Sequence, residues 1–410
     1  LVFSDVAMSY YPINGNVVFL AHFLFLKSDF LLRFSQLPFA LIAGLAFFLL
    51  LQQVGISPGK SFAGACLLLL FRPILRQSII AFVDLMVVAF FLSAVYYFSQ
   101  PGRKNFLLGS LATGLLVGTK TTGCLLLLPL ALLLSARFAR RNGSPGLPTI
   151  LTGLFIFLYF GGYSYLNNFL LTGNPFYPAR ISCGAFHWPG FYLFPAVSLP
   201  EKGRILYNTF RRPFSSVDAS RTSTLVLGLL WLATVLRSLK KPRLLLHLLI
   251  PAVVVLAYLI FIPANYFQLR HLLCVYPFLL SGAIILLGSP SRPDSFFSQA
   301  AKSALLVALT VYFLMDTLAG YTLLLKPVGF TAAGFFILFY GLNKIRQRWL
   351  SLTIWLSLTA FFLGIVPVIY SPAAAAQYQN NRYRILRRAY RDQADLWEIA
   401  DLLGGSRKKV

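Results

Sequence analysis

Acidic residues are scarce: 11 Asp and Glu stand against 36 Lys and Arg, and charged residues of both signs make up only 11% of the 410-residue chain. With 58% apolar residues and a mean hydropathy of +0.74, so little charge lies outside soluble composition and excludes a water-soluble fold. Disorder is excluded as well, because 39 Phe, 20 Tyr and long Leu runs supply more apolar surface than folding needs to offset chain entropy. The composition points to a bilayer.

Cysteine is sparse too. Cys66, Cys124, Cys183 and Cys274 show no CxxC or metal spacing, and Cys66 and Cys274 fall inside apolar runs, so no disulfide framework is indicated. Cys124 with Cys183 is the one pair placed to meet outside the membrane. The outer segments lack a P-loop, a GxGxxG fingerprint, an HExxH and any Cys/His zinc spacing, which argues against nucleotide- or zinc-driven chemistry and against an ATP-powered pump. No metal and no cofactor is required by the residues seen. No internal repeat is evident, which weakens a transporter built on inverted repeats.

What is present is a series of apolar runs long enough to approach about 30 Å of hydrocarbon. They lie near 35–53, 61–75, 79–98, 105–119, 122–136, 148–170, 222–238, 244–262, 269–288, 303–323, 328–343 and 349–370. These predict an all-α polytopic membrane protein of about 12 transmembrane helices, some of them broken at Gly or Pro. Strict alternation places fifteen Lys and Arg in one set of loops: Lys60, Arg103 and Lys104, then those of 137–141, 237–243, 292–302 and 344–348. The other set holds five, Arg72, Arg76, Lys120, Arg270 and Lys326, so the richer side is expected to be cytoplasmic. The net charge of +25 is then a loop property facing anionic headgroups, and nucleic acid is not expected as a partner.

Three outer segments remain: 1–34, the loop 172–221 within a membrane domain of 35–370, and a carboxy-terminal segment 371–410. Residues 14–25 are apolar but too short to span, and read as an interfacial helix. The chain opens at Leu1 without Met and stops inside a polar stretch, so it is expected to be a fragment.

Ionisable groups inside apolar runs are costly and therefore functional candidates. Asp84 lies near the outer end of its run, with an interhelical hydrogen bond to Ser, Thr or Tyr as the structural alternative to a cavity-facing carboxylate. Asp316 lies in the outer half of another run, and His247 near an inner end reads as a headgroup contact. Arg72, Arg76, Lys120, Arg270 and His271 gather on the cation-poor side, where a lipid-linked phosphate would need them. Each alone also fits snorkelling to headgroups. Thr172-Gly173-Asn174-Pro175-Phe176-Tyr177-Pro178 is a turn that offers ring faces and an amide suited to a sugar, or a plain interfacial anchor.

In order along the chain stand Tyr11-Pro12-Ile13-Asn14-Gly15, Gln36-Leu37-Pro38-Phe39, Phe82-Val83-Asp84, Gly114 to Gly118 with Thr119-Lys120-Thr121, the 172–178 loop, and Leu269-Arg270-His271 with Pro277. This order and the topology resemble the GT-C superfamily of polyprenyl-phosphate-sugar glycosyltransferases, near its protein mannosyltransferase and lipid A aminoarabinose transferase branch. The resemblance covers most of the chain and implies about thirteen spans, one more than this chain holds. It also implies an outward-facing active site, in a bacterial cytoplasmic (inner) membrane, that inverts the sugar it moves from lipid phosphate to a glycan, lipid or protein acceptor. By the resemblance Asp84 matches a second acidic position, and Lys120 and Arg270 match basic positions on the donor phosphate. Arg72, Arg76 and His271 accompany them, and Asn174, Pro175 and Tyr177 form a sugar or acceptor loop. The principal carboxylate of the family lies in the loop after its first span, where only Asp5 and Asp29 remain in this chain, and Asp5 is kept beside Asp84 as a catalytic candidate. The competing expectation is a transporter or flippase of lipid-linked glycans, which would need ionisable groups or broken helices at the midplane.

Overall fold

Apolar runs without polar interruption become helices, and Gly, Pro and short polar turns cut them. The computed structural model describes residues 10–26, 33–78, 82–139, 145–183, 186–190, 200–201, 203–204, 221–239, 242–262 and 269–288. The chain divides into two units, Leu1–Gly320 and Tyr321–Val410, and every described residue lies in the first. The expected runs at 303–323, 328–343 and 349–370, the 371–410 segment, Asp5, Asp29 and Asp316 lie outside the described residues.

The described part is mostly helical. In order come α1 (Asn14–Leu26), a 3-10 turn (Arg33–Gln36), α2 (Leu37–Gln53), α3 (Pro58–Leu70), α4 (Arg72–Gln77), α5 (Asp84–Ser99) and α6 (Arg103–Thr119). A second 3-10 turn (Thr121–Leu126) leads into α7 (Leu127–Phe138), followed by α8 (Leu147–Gly161) and α9 (Tyr163–Thr172). Strands β1 (Ile181–Cys183) and β2 (Phe186–Trp188) pair antiparallel, with Ser182 opposite His187. Then follow α10 (Arg221–Arg237), α11 (Pro242–Phe261), a third 3-10 stretch (Leu269–Val275) and α12 (Tyr276–Gly288). Among the described residues, each expected run within 35–288 is largely helical, and the segment expected at 14–25 forms α1.

The breaks fall where backbone chemistry puts them. Phe71 is extended (φ −64°, ψ 123°) and splits one run into α3 and α4, with Pro73 in the first turn of α4, where its missing N–H leaves no helical hydrogen bond unmade. Gly162 separates α8 from α9, which bend by 66°. Among the described residues, Thr121–Phe138 is the one unbroken helical stretch long and apolar enough to cross a membrane, and the bent α8–α9 pair passes if it counts as a single span.

α5 is the hub of the bundle. Its side chains are buried on every face, from Leu85 and Met86 through Phe91 and Leu92 to Phe98, as expected of a helix apolar all round. It packs against α2, α6, α7 and the 3-10 stretch at 269–275. Gln53 donates to the Ser99 carbonyl, and Arg137 donates to those of Phe98 and Gly102, both at 3.3 Å. These polar ties sit at the carboxy-terminal end of α5, opposite Asp84. By contrast the perimeter is apolar: Leu151, Phe155, Leu158 and Leu166 on α8–α9, Leu41 on α2 and Leu229 on α10 are all exposed.

α6 meets α8 through small residues. A Cβ at Gly114 would lie 2.9 Å from the Phe157 carbonyl oxygen, so the two backbones approach as closely as glycine allows, in the manner of a GxxxG contact with Gly118 one turn on. Gly114→Leu is expected to cost about 1–3 kcal/mol by forcing the helices apart. Thermal melting of the solubilised protein checks this, and an unchanged melting curve would mean that the contact contributes nothing.

Candidate functional site

Three helix ends meet at the amino-terminal end of α5. α6 stops at Thr119, whose hydroxyl donates to the Leu115 carbonyl at 2.6 Å, and Lys120 is fully extended (φ −157°, ψ 139°). The next turn folds straight back onto α6: a Cβ at Gly123 would come 2.6 Å from the Leu116 carbonyl oxygen, a spacing that only glycine tolerates. This break carries the Lys120 side chain off the helix axis and across to α5.

There the Lys120 ammonium donates to Asp84 Oδ1, forming a direct ion pair across 36 residues of chain. Asp84 lies in the first turn of α5, where the unpaired backbone N–H groups favour a carboxylate. The pair is asymmetric in exposure. The Asp84 side chain is 5% exposed and that of Lys120 is 21% exposed, so the lysine is the more accessible of the two.

Arg270 stands near the start of the 3-10 stretch that packs on α4 and α5. Its guanidinium carbon lies 4.7 Å from the centre of the Phe82 ring, two residues before Asp84, within cation–π range. Arg270 is close enough to act on the Lys120 charge. Burial pushes the Lys120 ammonium below its ordinary pKa; Asp84 opposes this shift and the Arg270 cation adds to it. His271 follows Arg270, with Nδ1 3.4 Å from the Tyr258 hydroxyl of α11 and the two rings 6.1 Å apart. A lysine point charge held by one buried carboxylate, with an arginine fork and an imidazole close to that lysine, makes a site suited to an oxyanion.

Of the residues expected from sequence, Asp84, Lys120, Arg270 and His271 are brought together. Arg72 and Arg76 fall on α4, which packs against the Arg270 stretch, but their side chains lie outside what the structure describes. Neither reading of Asp84 anticipated its partner: where the structural alternative offered Ser, Thr or Tyr, the break after Thr119 delivers the charged Lys120. His247 is buried rather than at a headgroup: its Nε2 lies 3.4 Å from Ser281 Oγ and its ring rests 5.1 Å from that of Phe278. Cys124 forms no disulfide, its sulfur lying 3.1 Å from the Tyr165 hydroxyl.

No protein-family model, curated protein or solved structure matches the chain. The site therefore rests on its own geometry.

The 172–178 loop corrects the expectation of a presented amide. Asn174 is fully buried, its Nδ2 donating to the carbonyls of Ala179 (2.7 Å) and Pro189 (2.8 Å) while Oδ1 accepts from the Phe176 N–H (2.9 Å). Both N–H groups and the oxygen of that amide are engaged in holding the loop. Nearby, the buried Asn168 amide donates to the carbonyls of Tyr10 at 2.8 Å and Tyr177 at 3.1 Å, tying the loop to the residues before α1. Tyr177 follows suit, its ring 4.5 Å from that of Tyr10, while Pro175 is half-buried in the same turn. Phe176 sits between Tyr165 and Trp188 at 5.7 and 5.9 Å.

No role was expected from sequence for Phe82, for Tyr258 or for two buried amides. Gln36 and Gln77, at the ends of the first 3-10 turn and of α4, are fully buried with no hydrogen-bond partner for either side-chain polar atom. A lone amide bordering an apolar run was the signal available for both.

Proposed function

We propose that the chain is a polytopic integral membrane glycosyltransferase that moves a sugar from a polyprenyl-phosphate donor to an acceptor on the outer face of a membrane. The observation that carries this reading is the meeting of Lys120 with Asp84, and of Arg270 and His271 with Lys120, at one end of the bundle, from segments 36 and about 150 residues apart. A cluster of cations at helix ends, in a bundle whose perimeter is apolar, suits a substrate with a phosphate head and a hydrocarbon tail. Membrane residence draws support from the exposed Leu and Phe of α2, α8, α9 and α10, an area of apolar surface that a soluble monomer rarely leaves open.

The reaction follows from that cluster. An acceptor nucleophile attacks the anomeric carbon, the bond from that carbon to the phosphate oxygen breaks with its electron pair going to the phosphate, and the configuration inverts. Cations at the phosphate stabilise the charge that develops there. The test is transfer of labelled sugar from a prenyl-phosphate donor by the whole protein in nanodiscs. Absence of both transfer and donor binding across several prenyl-phosphate sugars would sink the reading, and lipid flux without transfer would favour a flippase.

Orientation is testable separately. A cysteine introduced at Glu201 is expected to react with an impermeant reagent in intact cells, and one at Arg141 is expected to stay protected. The reverse pattern would invert the topology.

A further inference from the structure

The exchangeable lysine of the site is already in use. Lys120 is engaged by a buried carboxylate, its side chain is the more exposed of the pair, and Arg270 acts on it as a second positive charge. A phosphate seated beside both cations would turn their mutual repulsion into joint attraction, and it would compete with Asp84 for the Lys120 charge. A donor phosphodiester carries one negative charge spread over two oxygens and competes poorly with a carboxylate for that ammonium. The prenyl phosphate monoester formed by transfer carries up to two charges and competes well.

We propose that the Asp84–Lys120 pair is a charge exchanger: Lys120 passes from Asp84 to the leaving phosphate as the glycosidic bond breaks, and the released carboxylate takes the acceptor's proton. This rests on the glycosyltransferase reading and assigns the two cations different tasks. Arg270 holds the donor in the ground state, and Lys120 serves the transition state and the product. The step balances. The acceptor oxygen bonds to the anomeric carbon, its proton goes to an Asp84 oxygen, and the electron pair of the broken carbon–oxygen bond stays on the phosphate, where Lys120 meets it.

The exchange makes two predictions that a fixed structural pair does not. Asp84→Asn removes the resting competitor for Lys120, so in nanodiscs this variant is expected to bind prenyl monophosphate about tenfold tighter than the unmodified protein, even as turnover falls. Lys120→Met is expected to lower kcat about a hundredfold with donor KM nearly unchanged, whereas Arg270→Ala is expected to raise donor KM about tenfold. The exchange idea fails if the unmodified protein binds prenyl monophosphate and Asp84→Asn binds it no tighter, or if Lys120→Met behaves like Arg270→Ala. If the unmodified protein binds neither prenyl monophosphate nor the sugar-bearing diester, the glycosyltransferase reading falls and the exchange falls with it. Because the two Lys120 and Arg270 variants are read by kinetics, they keep the test open should Asp84→Asn fold poorly.

Discussion

Asp84→Asn is expected to reduce sugar transfer by about a hundredfold or more while the protein still inserts and folds. Removing one partner of a buried pair usually costs about 3–5 kcal/mol because the other charge is left uncompensated. Here the penalty is smaller, since the Lys120 side chain is 21% exposed and can turn to water or to a bound anion. The double variant Asp84→Asn with Lys120→Met separates structure from chemistry. Removing both charges is expected to recover the stability lost in the single variant and none of the transfer. If Asp84→Asn keeps the activity of the unmodified protein, Asp84 is only a helix-end tie.

How much of this site was legible depended on the residue. Asp84 stood out because a carboxylate inside an apolar run has few explanations, and Lys120 and Arg270 because they interrupt the cation-poor side. Their meeting was also foreseeable from alternation, which sends the start of α5, the end of α6 and the 3-10 stretch at 269–275 to one end of the bundle. That Lys120 pairs with Asp84 was not legible. It depends on one extended residue between a helix and a tight turn, a choice set by the close packing of Gly123 on Leu116 and not by any periodicity. His247 misled for the related reason that hydropathy gives depth along a helix but not direction around it, and this ring turns inward to Ser281 and Phe278.

The helices themselves were easier to read than their lengths. Runs of Leu, Phe and Ala fix where α2, α5 and α6 lie, since nothing in them competes for backbone hydrogen bonds. Breaks at Phe71 and Gly162 shorten what hydropathy reads as continuous, which is why runs expected at 61–75 and 148–170 each yield two helices.

The loop at 172–178 yields the second large effect, and it concerns stability. Asn174→Ala strips the Phe176 N–H and the carbonyls of Ala179 and Pro189 of their partner, which is expected to cost about 2–4 kcal/mol and to loosen the turn that Asn168 also holds. A sugar-binding amide predicts something different: a rise in acceptor KM with melting unchanged. Asn174→Asp decides between them most sharply. Carboxylates hold sugar hydroxyls as well as amides do, so a ligand-binding residue would tolerate the change. In the turn, however, the new oxygen replaces the nitrogen that donates to two carbonyls and sets negative charge against both, so Asp is expected to melt at or below the temperature of the Ala variant. Melting curves and limited proteolysis of Asn174→Ala and Asn174→Asp measure this directly. A stable Asp variant with altered acceptor kinetics would return Asn174 to the binding site.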